Sequence, residues 1–260
     1  MPAAPSDDPF DLTGRVALVT GGSRGLGREM VRAFARHGAD VVISSRKIDA
    51  CEALAGEVRK EFGHAALPVA ANVSSWADCD RLADAAFGRF GQVDVLVNNA
   101  GMSPLYPSVD AVTEELWDKV IGVNLKGPFR LTALVGTRMV EGLGGSIINI
   151  SSMTAVSPNK DVVPYAAAKA GLNSLTESFA GALGPTVRIN TIMCGMFRTD
   201  IAEAWGDPAA VDAHTRRTHA LGRIGEPDDI VGTALYLATD VSAYCTGATI
   251  RLDGGGGLRG

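Results

Sequence analysis

A repeated switch between two hydrophobic periods constrains this chain most. Short runs rich in β-branched residues, such as Arg15–Thr20 (RVALVT), alternate with longer stretches whose apolar positions recur at helical spacing. In the first of these stretches, residues 25–37, Leu26, Met30, Ala33 and Phe34 share one face and Gly38 supplies a stop. The pattern predicts further strands at Ala39–Ser44, Ala66–Ala71, Val93–Val97, Ser146–Ser151, Val187–Met193 and 248–252. Helices are predicted over 48–62, 75–89, 113–140, 164–183 and 228–238. Such alternation implies an α/β fold, a seven-stranded parallel sheet with helices on both faces. Residues 195–224 break the rhythm, and a long irregular segment at a strand end suits a lid over a site.

The 260 residues are 46% hydrophobic and read as one doubly wound domain over 12–255, with a flexible head at 1–11 and a flexible tail at 256–260. The net charge of −5, with scattered Lys and Arg, offers no basic stripe for nucleic acid. No run approaches the roughly 18 apolar residues of a membrane span, and the acidic start is unlike a signal peptide. A cytoplasmic location is the expectation. Cys51, Cys79, Cys194 and Cys245 lie too far apart for a C-x-x-C pair, and no metal site is expected.

Glycine makes up about 12% of the chain against a usual ~7%. Part of the excess falls in Thr20-Gly21-Gly22-Ser23-Arg24-Gly25-Leu26-Gly27, between the first strand and the first helix. Glycines there permit positive φ and close backbone approach, and the helix N-terminus offers N–H groups to a pyrophosphate. Gly21, Ser23, Arg24, Gly25, Leu26 and Gly27 are therefore candidate contacts in a Rossmann-type site. A rival reading is the G-x-S-x-G elbow of hydrolases around Ser23, with His214 or His219 as base. Only about 14 residues precede the first strand, which leaves no earlier loop for that elbow's oxyanion hole. Gly254–Gly257 follow the last strand and read as part of the tail.

The end of the second strand distinguishes nicotinamide cofactors, because an acid there holds a ribose 2′-OH and a cation accommodates a 2′-phosphate. Asp40 lies at the wrong end, whereas Ser45 and Arg46 lie at the right one. Arg24 can add a second charge, and NADP(H) is expected over NAD(H). Tyr165 and Lys169, four residues apart on a predicted helix, share a face, and a nearby ammonium favours the phenolate. Ser152 ends the fifth strand at the carboxyl edge of the sheet, where its hydroxyl can donate to a substrate oxygen.

In the order T-G-x-x-x-G-x-G (Thr20–Gly27), N-N-A-G (Asn98–Gly101), Asn124, Ser152 and Y-x-x-x-K (Tyr165–Lys169), closing with Gly222–Pro227 and Asp253–Gly255, the chain resembles the short-chain dehydrogenase/reductase family. The resemblance implies that Tyr165 exchanges a proton with the alcohol or carbonyl oxygen held by Ser152, while hydride moves to or from the nicotinamide. It also implies that Lys169 binds the nicotinamide ribose and lowers the Tyr165 pKa, and that Asn124 holds a water relaying protons to Lys169. Asn98, Ala100 and Gly101 would support the adenosine side of the cofactor channel. Asn72 and Val73 stand where the family has Asp-Val, with the amide accepting from adenine. Gly195, Ile192 and Thr199 would meet the nicotinamide end. Cys194 replaces the family's Pro, which removes a fixed φ and leaves the following lid less preorganised. Ala155 replaces a common Gly, and nothing explains that change.

The implied reaction is NADP(H)-dependent interconversion of a ketone or aldehyde and a secondary alcohol. An NAD-linked alcohol dehydrogenase and a non-catalytic, cofactor-binding sensor on the same fold stand beside it. Met102, Pro104, Met153, Pro158, Asn159, Met196, Phe197 and Trp205 are candidate pocket walls, which favours a medium-sized apolar carbonyl substrate. Small residues at Ala166–Ala168 and 180–182 suit close helix packing, and the resemblance implies a homotetramer or homodimer.

Overall fold

The computed structural model describes residues 8–199 and 207–256. Seven strands form one sheet: β1 (Val16–Thr20), β2 (Asp40–Ser45), β3 (Ala66–Ala70), β4 (Val95–Asn98), β5 (Gly145–Ser152), β6 (Val187–Cys194) and β7 (Thr249–Leu252). They pair in parallel in the order β3-β2-β1-β4-β5-β6-β7. The order reverses between β1 and β4, so the segments leaving these neighbours diverge and open a crevice at their carboxyl ends. Pro68 falls in β3, an edge strand, where a missing N–H is tolerated.

Helices α1 (Gly25–Arg36), α2 (Ile48–Phe62), α3 (Trp76–Phe90), α4 (Glu114–Ile121), α5 (Gly127–Glu141), α6 (Val163–Leu183), α7 (Pro208–Thr218) and α8 (Val231–Ala238), with short 3₁₀ turns such as Lys160–Val162 between them, complete the described elements. Alternate residues of β1 feed two separate cores. Ala17 and Val19 join Met30, Phe34 and Leu54 on one face, while Val16 and Leu18 join Leu82, Leu131 and Val135 on the other. Burial on both faces explains why the central strands read as unbroken apolar runs. At the far end of the sheet Phe10 packs against the first core and Leu12 is buried in it.

Three stretches differ from the sequence expectation. The helix expected over 113–140 is α4 and α5, separated by a π-helical turn at Gly122–Lys126. A Cβ on Gly122 would stand 2.9 Å from the Ser74 Cβ, and one on Gly127 would overlap the Val73 carbonyl oxygen, so both glycines allow close packing. Residues 195–224 are not wholly irregular, since they contain α7, whose first turn is capped by the Asp207 side chain accepting from Ala209 N. Gly254–Gly256 form an ordered turn rather than a free tail: Ala220 N and Leu221 N donate to Gly255 O and Gly254 O, and His219 pairs with Gly256. Residues 1–7, Trp205 and Gly257 lie outside the described residues. Among those described, no helix is long and apolar enough to cross a membrane.

Candidate active site

The turn from β1 into α1 is a cradle shaped by missing side chains. Gly21 and Gly25 have φ of 61° and 51°. A Cβ on Gly21 would stand 2.9 Å from the Ala100 Cα, and one on Gly27 would overlap the Gly21 carbonyl oxygen. No side chain caps the N-terminus of α1, and its first turn carries no acidic residue. Its N–H groups and positive dipole end therefore suit a pyrophosphate. Ser23 and Leu26 are half-buried beside the glycines.

Two side chains to which sequence reasoning gave no role of their own hold this cradle to β4. Thr20 Oγ1 accepts from Asn99 N (3.0 Å) and Ala100 N (3.1 Å) and donates to Val97 O. Asn99 Nδ2 donates to Thr20 O and Gly21 O at 2.9 and 3.1 Å. Thr20 and Asn99 were already inside the quoted motifs, but a partner in another strand is not visible in a linear spacing. On the opposite flank, the Thr199 side chain approaches the position of a Gly25 Cβ within 3.5 Å. Gly195 lies against Asp253 too closely for a side chain, with a Cβ at 2.7 Å.

At the end of β2, Ser45 is half-buried, Arg46 and Lys47 are exposed, and Ser45 Oγ donates to Lys47 O. Asp40 is at the other end, where Oδ1 accepts from Ala65 N at 2.8 Å and serves the fold. Arg24 is exposed at the start of α1. Asn72 is exposed, and its Oδ1 accepts from Ser74 N and Ser74 Oγ, so the oxygen expected to meet an adenine already has local donors. Val73 is buried against the start of α5.

Ser152, Tyr165, Lys169 and Asn124 converge at the carboxyl edge. Ser152 is the last residue of β5, in register with Cys194 of β6, and its Oγ lies near enough to the Tyr165 hydroxyl to draw that phenol's pKa down. Thr154 N and Thr154 Oγ1 also donate to Ser152 Oγ. Lys169 lies one turn along α6, its Nζ 5.6 Å from the Tyr165 ring centre, and donates to Ile150 O at 2.7 Å. Asn124 sits inside the π turn, where Nδ2 donates to Val120 O and Met102 O and Oδ1 accepts from Met102 N. Seen from Gly101, Asn124 Oδ1 and Lys169 Nζ stand 3.1 and 3.8 Å from the position of a Cβ. A π turn within a helix is a common device of functional sites.

Burial sets the electrostatics. It pushes the Tyr165 phenol up to about 12, only partly opposed by Ser152, so the lowering expected from Lys169 is not what this structure gives, and it pushes the Lys169 ammonium down to about 8. Burial likewise raises the Cys194 thiol to about 12, so that position stays neutral beside the pair. The group is suited to proton exchange with an oxygen held between Ser152 and Tyr165.

Other expected residues serve the interior. Asn98 is 2% exposed and spends Nδ2 on Thr132 Oγ1 and Asn149 Oδ1, within a buried network that continues through Thr176 to Thr191. Its side chain is therefore turned away from the crevice. Ile192 is fully buried and Phe197 packs in the core, so neither side chain lines an open wall. Met196, Ala210, Val211 and His214 line a cavity of about 230 Å³ beside the segment leaving β6. His219 instead places its ring beside Thr218 Oγ1 and the closing glycine turn.

A family model described as enoyl-(acyl carrier protein) reductase matches residues 21–256. The chain is 40% identical over 251 residues to the L-rhamnose 1-dehydrogenase (NAD(P)(+)) of Azotobacter vinelandii, covering 94% of this chain and 97% of that protein. It is similar to a gluconate 5-dehydrogenase from Burkholderia cenocepacia solved with NADP and tartrate, at 34% identity and a TM-score of 0.89, with 95% and 97% of the two chains covered. A 7α-hydroxysteroid dehydrogenase solved with NADH and 7-oxo glycochenodeoxycholic acid is 30% identical with a TM-score of 0.91, over 97% and 98% of the chains. Sequence motifs, sheet order and these likenesses agree, and the chain belongs to the short-chain dehydrogenase/reductase family of oxidoreductases.

Proposed function

We propose that the protein is an NADP(H)-dependent oxidoreductase that interconverts a ketone or aldehyde and a secondary alcohol, with Tyr165 as the acid/base. The observation that carries this reading is the Tyr165 hydroxyl set beside Ser152, one helical turn from the buried Lys169 whose Nζ lies 5.6 Å from the tyrosine ring centre. The glycine cradle fits a dinucleotide, because the uncapped N-terminus of α1 offers its N–H groups to a pyrophosphate and the glycines let the turn pack tightly against Ala100. When bound, the nicotinamide supplies or takes up the hydride. Ser152 orients the substrate oxygen, and Tyr165 delivers its proton to that oxygen as the alcohol forms. The Lys169 ammonium stabilises the phenolate left behind, and Asn124, on the same side of Gly101, serves the proton path to Lys169. Cofactor ribose contact by Lys169 belongs to the same reading. A phenol held near 12 keeps its proton at neutral pH and has it to donate to a carbonyl oxygen.

NADP(H) preference rests on Ser45 and Arg46 at the end of β2, with exposed Arg24 at the start of α1 and Asp40 engaged elsewhere. The NADP-bound gluconate 5-dehydrogenase supports it, while the NADH-bound hydroxysteroid dehydrogenase keeps an NAD-linked enzyme as the second reading. Half-buried Met102, Pro104, Met153 and Met196 favour a medium-sized, largely apolar carbonyl compound. Exposed Ala167, Gly181 and Ala182 on α6 suit a second copy in a homodimer or homotetramer. The test is a carbonyl panel read by NADPH and NADH oxidation, with Arg46→Ala alongside. A charge-assisted hydrogen bond contributes about 1.5–3 kcal/mol, so the variant should weaken NADPH by roughly 10- to 150-fold and leave NADH nearly unchanged. Equal losses for the two cofactors would exclude a phosphate contact at Arg46.

A further inference from the structure

The segment leaving β4, residues 101–108, has no regular secondary structure, yet one of its side chains enters the start of α6. Tyr106 Oη donates to Lys160 O at 2.8 Å and accepts from Val163 N at 2.8 Å. Lys160 and Val163 are three residues apart, the pair whose carbonyl and N–H would bond directly in a tight 3₁₀ turn. The phenol bonds both groups where the 3₁₀ turn Lys160–Val162 runs into α6, so one hydroxyl is wedged at that junction.

That wedge acts at the first turn of α6, beside buried Pro164. The preceding residue, Val162, supplies no side-chain cap, and Pro164 has no N–H to offer. Further along, the helix is pinned through Lys169, whose Nζ and carbonyl oxygen both bond to β5, and through buried Ala166 and Ala168. Tyr165 is the third residue of α6, between the wedge and those pins.

We infer that Tyr106 is a positioning residue: its hydroxyl sets the first turn of α6 and so aims the Tyr165 phenol at Ser152. It also ties the strand-exit segment that carries Gly101 and Met102 to the β5–α6 connection, two segments that flank the reacting oxygen. The inference rests on the reading of Tyr165 as acid/base.

Tyr106→Phe keeps the ring and removes the wedge, after which Lys160 O and Val163 N close on each other or admit water. Displacement of a catalytic group by a fraction of an ångström is costly, and kcat should fall about 10-fold. The Kd for NADPH and the KM for the carbonyl substrate should stay within about twofold, and Tm within a few degrees, because the lost bonds lie at a partly exposed site. The primary isotope effect with 4-deuterated NADPH should rise as the chemical step becomes slower. An unchanged kcat overturns the inference, as does a loss of kcat matched by losses in cofactor affinity and Tm, which marks a merely structural bond. Tyr165→Phe is measured in parallel. Turnover surviving in Tyr165→Phe overturns the acid/base reading and the role of Tyr106 with it, whereas an inactive Tyr165→Phe beside a normal Tyr106→Phe overturns the Tyr106 role alone.

Discussion

Burial acts on Tyr165 and Lys169 in opposite directions on the pH scale and toward the same end, the neutral form of each. The phenol moves up to about 12 and the ammonium down to about 8. Between these values the tyrosine keeps its proton while the lysine loses its charge. Carbonyl reduction draws on both the proton and the charge, so kcat/KM for reduction should hold through neutral pH and fall as pH rises through about 8. A profile measured from pH 6 to 10 checks this, and a rate that stays flat to pH 10 contradicts it. The spacing of Tyr165 and Lys169 was legible in the sequence because four residues bring two side chains onto one helical face. Their environment was not legible, since the Ile150 carbonyl that receives Lys169 and the Ser152 hydroxyl that meets Tyr165 come from a different element.

Elements in this fold are joined by side chains at their ends, and those joints separate what a sequence pattern can predict from what it cannot. The strand-turn-helix unit around Gly21–Gly27 follows from residues adjacent in the chain. The clamp of Thr20 and Asn99 across β1 and β4 follows only from the strand order. Thr20→Val removes the acceptor for two backbone N–H groups and the donor to Val97 O. Urea unfolding should report a loss of about 1–3 kcal/mol, and cofactor binding should weaken because the cradle loses its lateral support. Wild-type stability together with wild-type affinity would show the clamp to be idle. The break between α4 and α5 did leave a signal, because Gly122, Gly127 and Pro128 interrupt the apolar period, with Pro128 near the start of α5. The start of α7 was marked as well, by Asp207 as cap and Pro208 in the first turn, although its apolar face is short.

At the scale of the whole molecule, parallel pairing sends every strand's carboxyl end to one edge, and the reversal between β1 and β4 opens the crevice there. The glycine cradle, Ser152, Tyr165 and Lys169 share that edge although more than a hundred residues separate the first from the last. That convergence was available from the sequence, because alternation dictates a parallel sheet and each site motif directly follows a strand or opens a helix. What the sequence could not distinguish is which motif residues face the crevice. Asn98 and Ile192 belong to the same strand ends, yet they turn inward, one into a polar network and the other into the first core. Alternation fixes two faces for a strand, and packing decides which of its last residues reach the opening. The central claim is that Tyr165 supplies and removes the proton at this edge. The most direct measurement is turnover of Tyr165→Phe with NADPH and a carbonyl compound reduced by the wild type, alongside a cofactor titration. Turnover at least 1000-fold lower with an unchanged Kd for NADPH is the predicted result, general acid–base groups contributing about 10²–10⁴-fold; a variant that retains wild-type kcat contradicts the account.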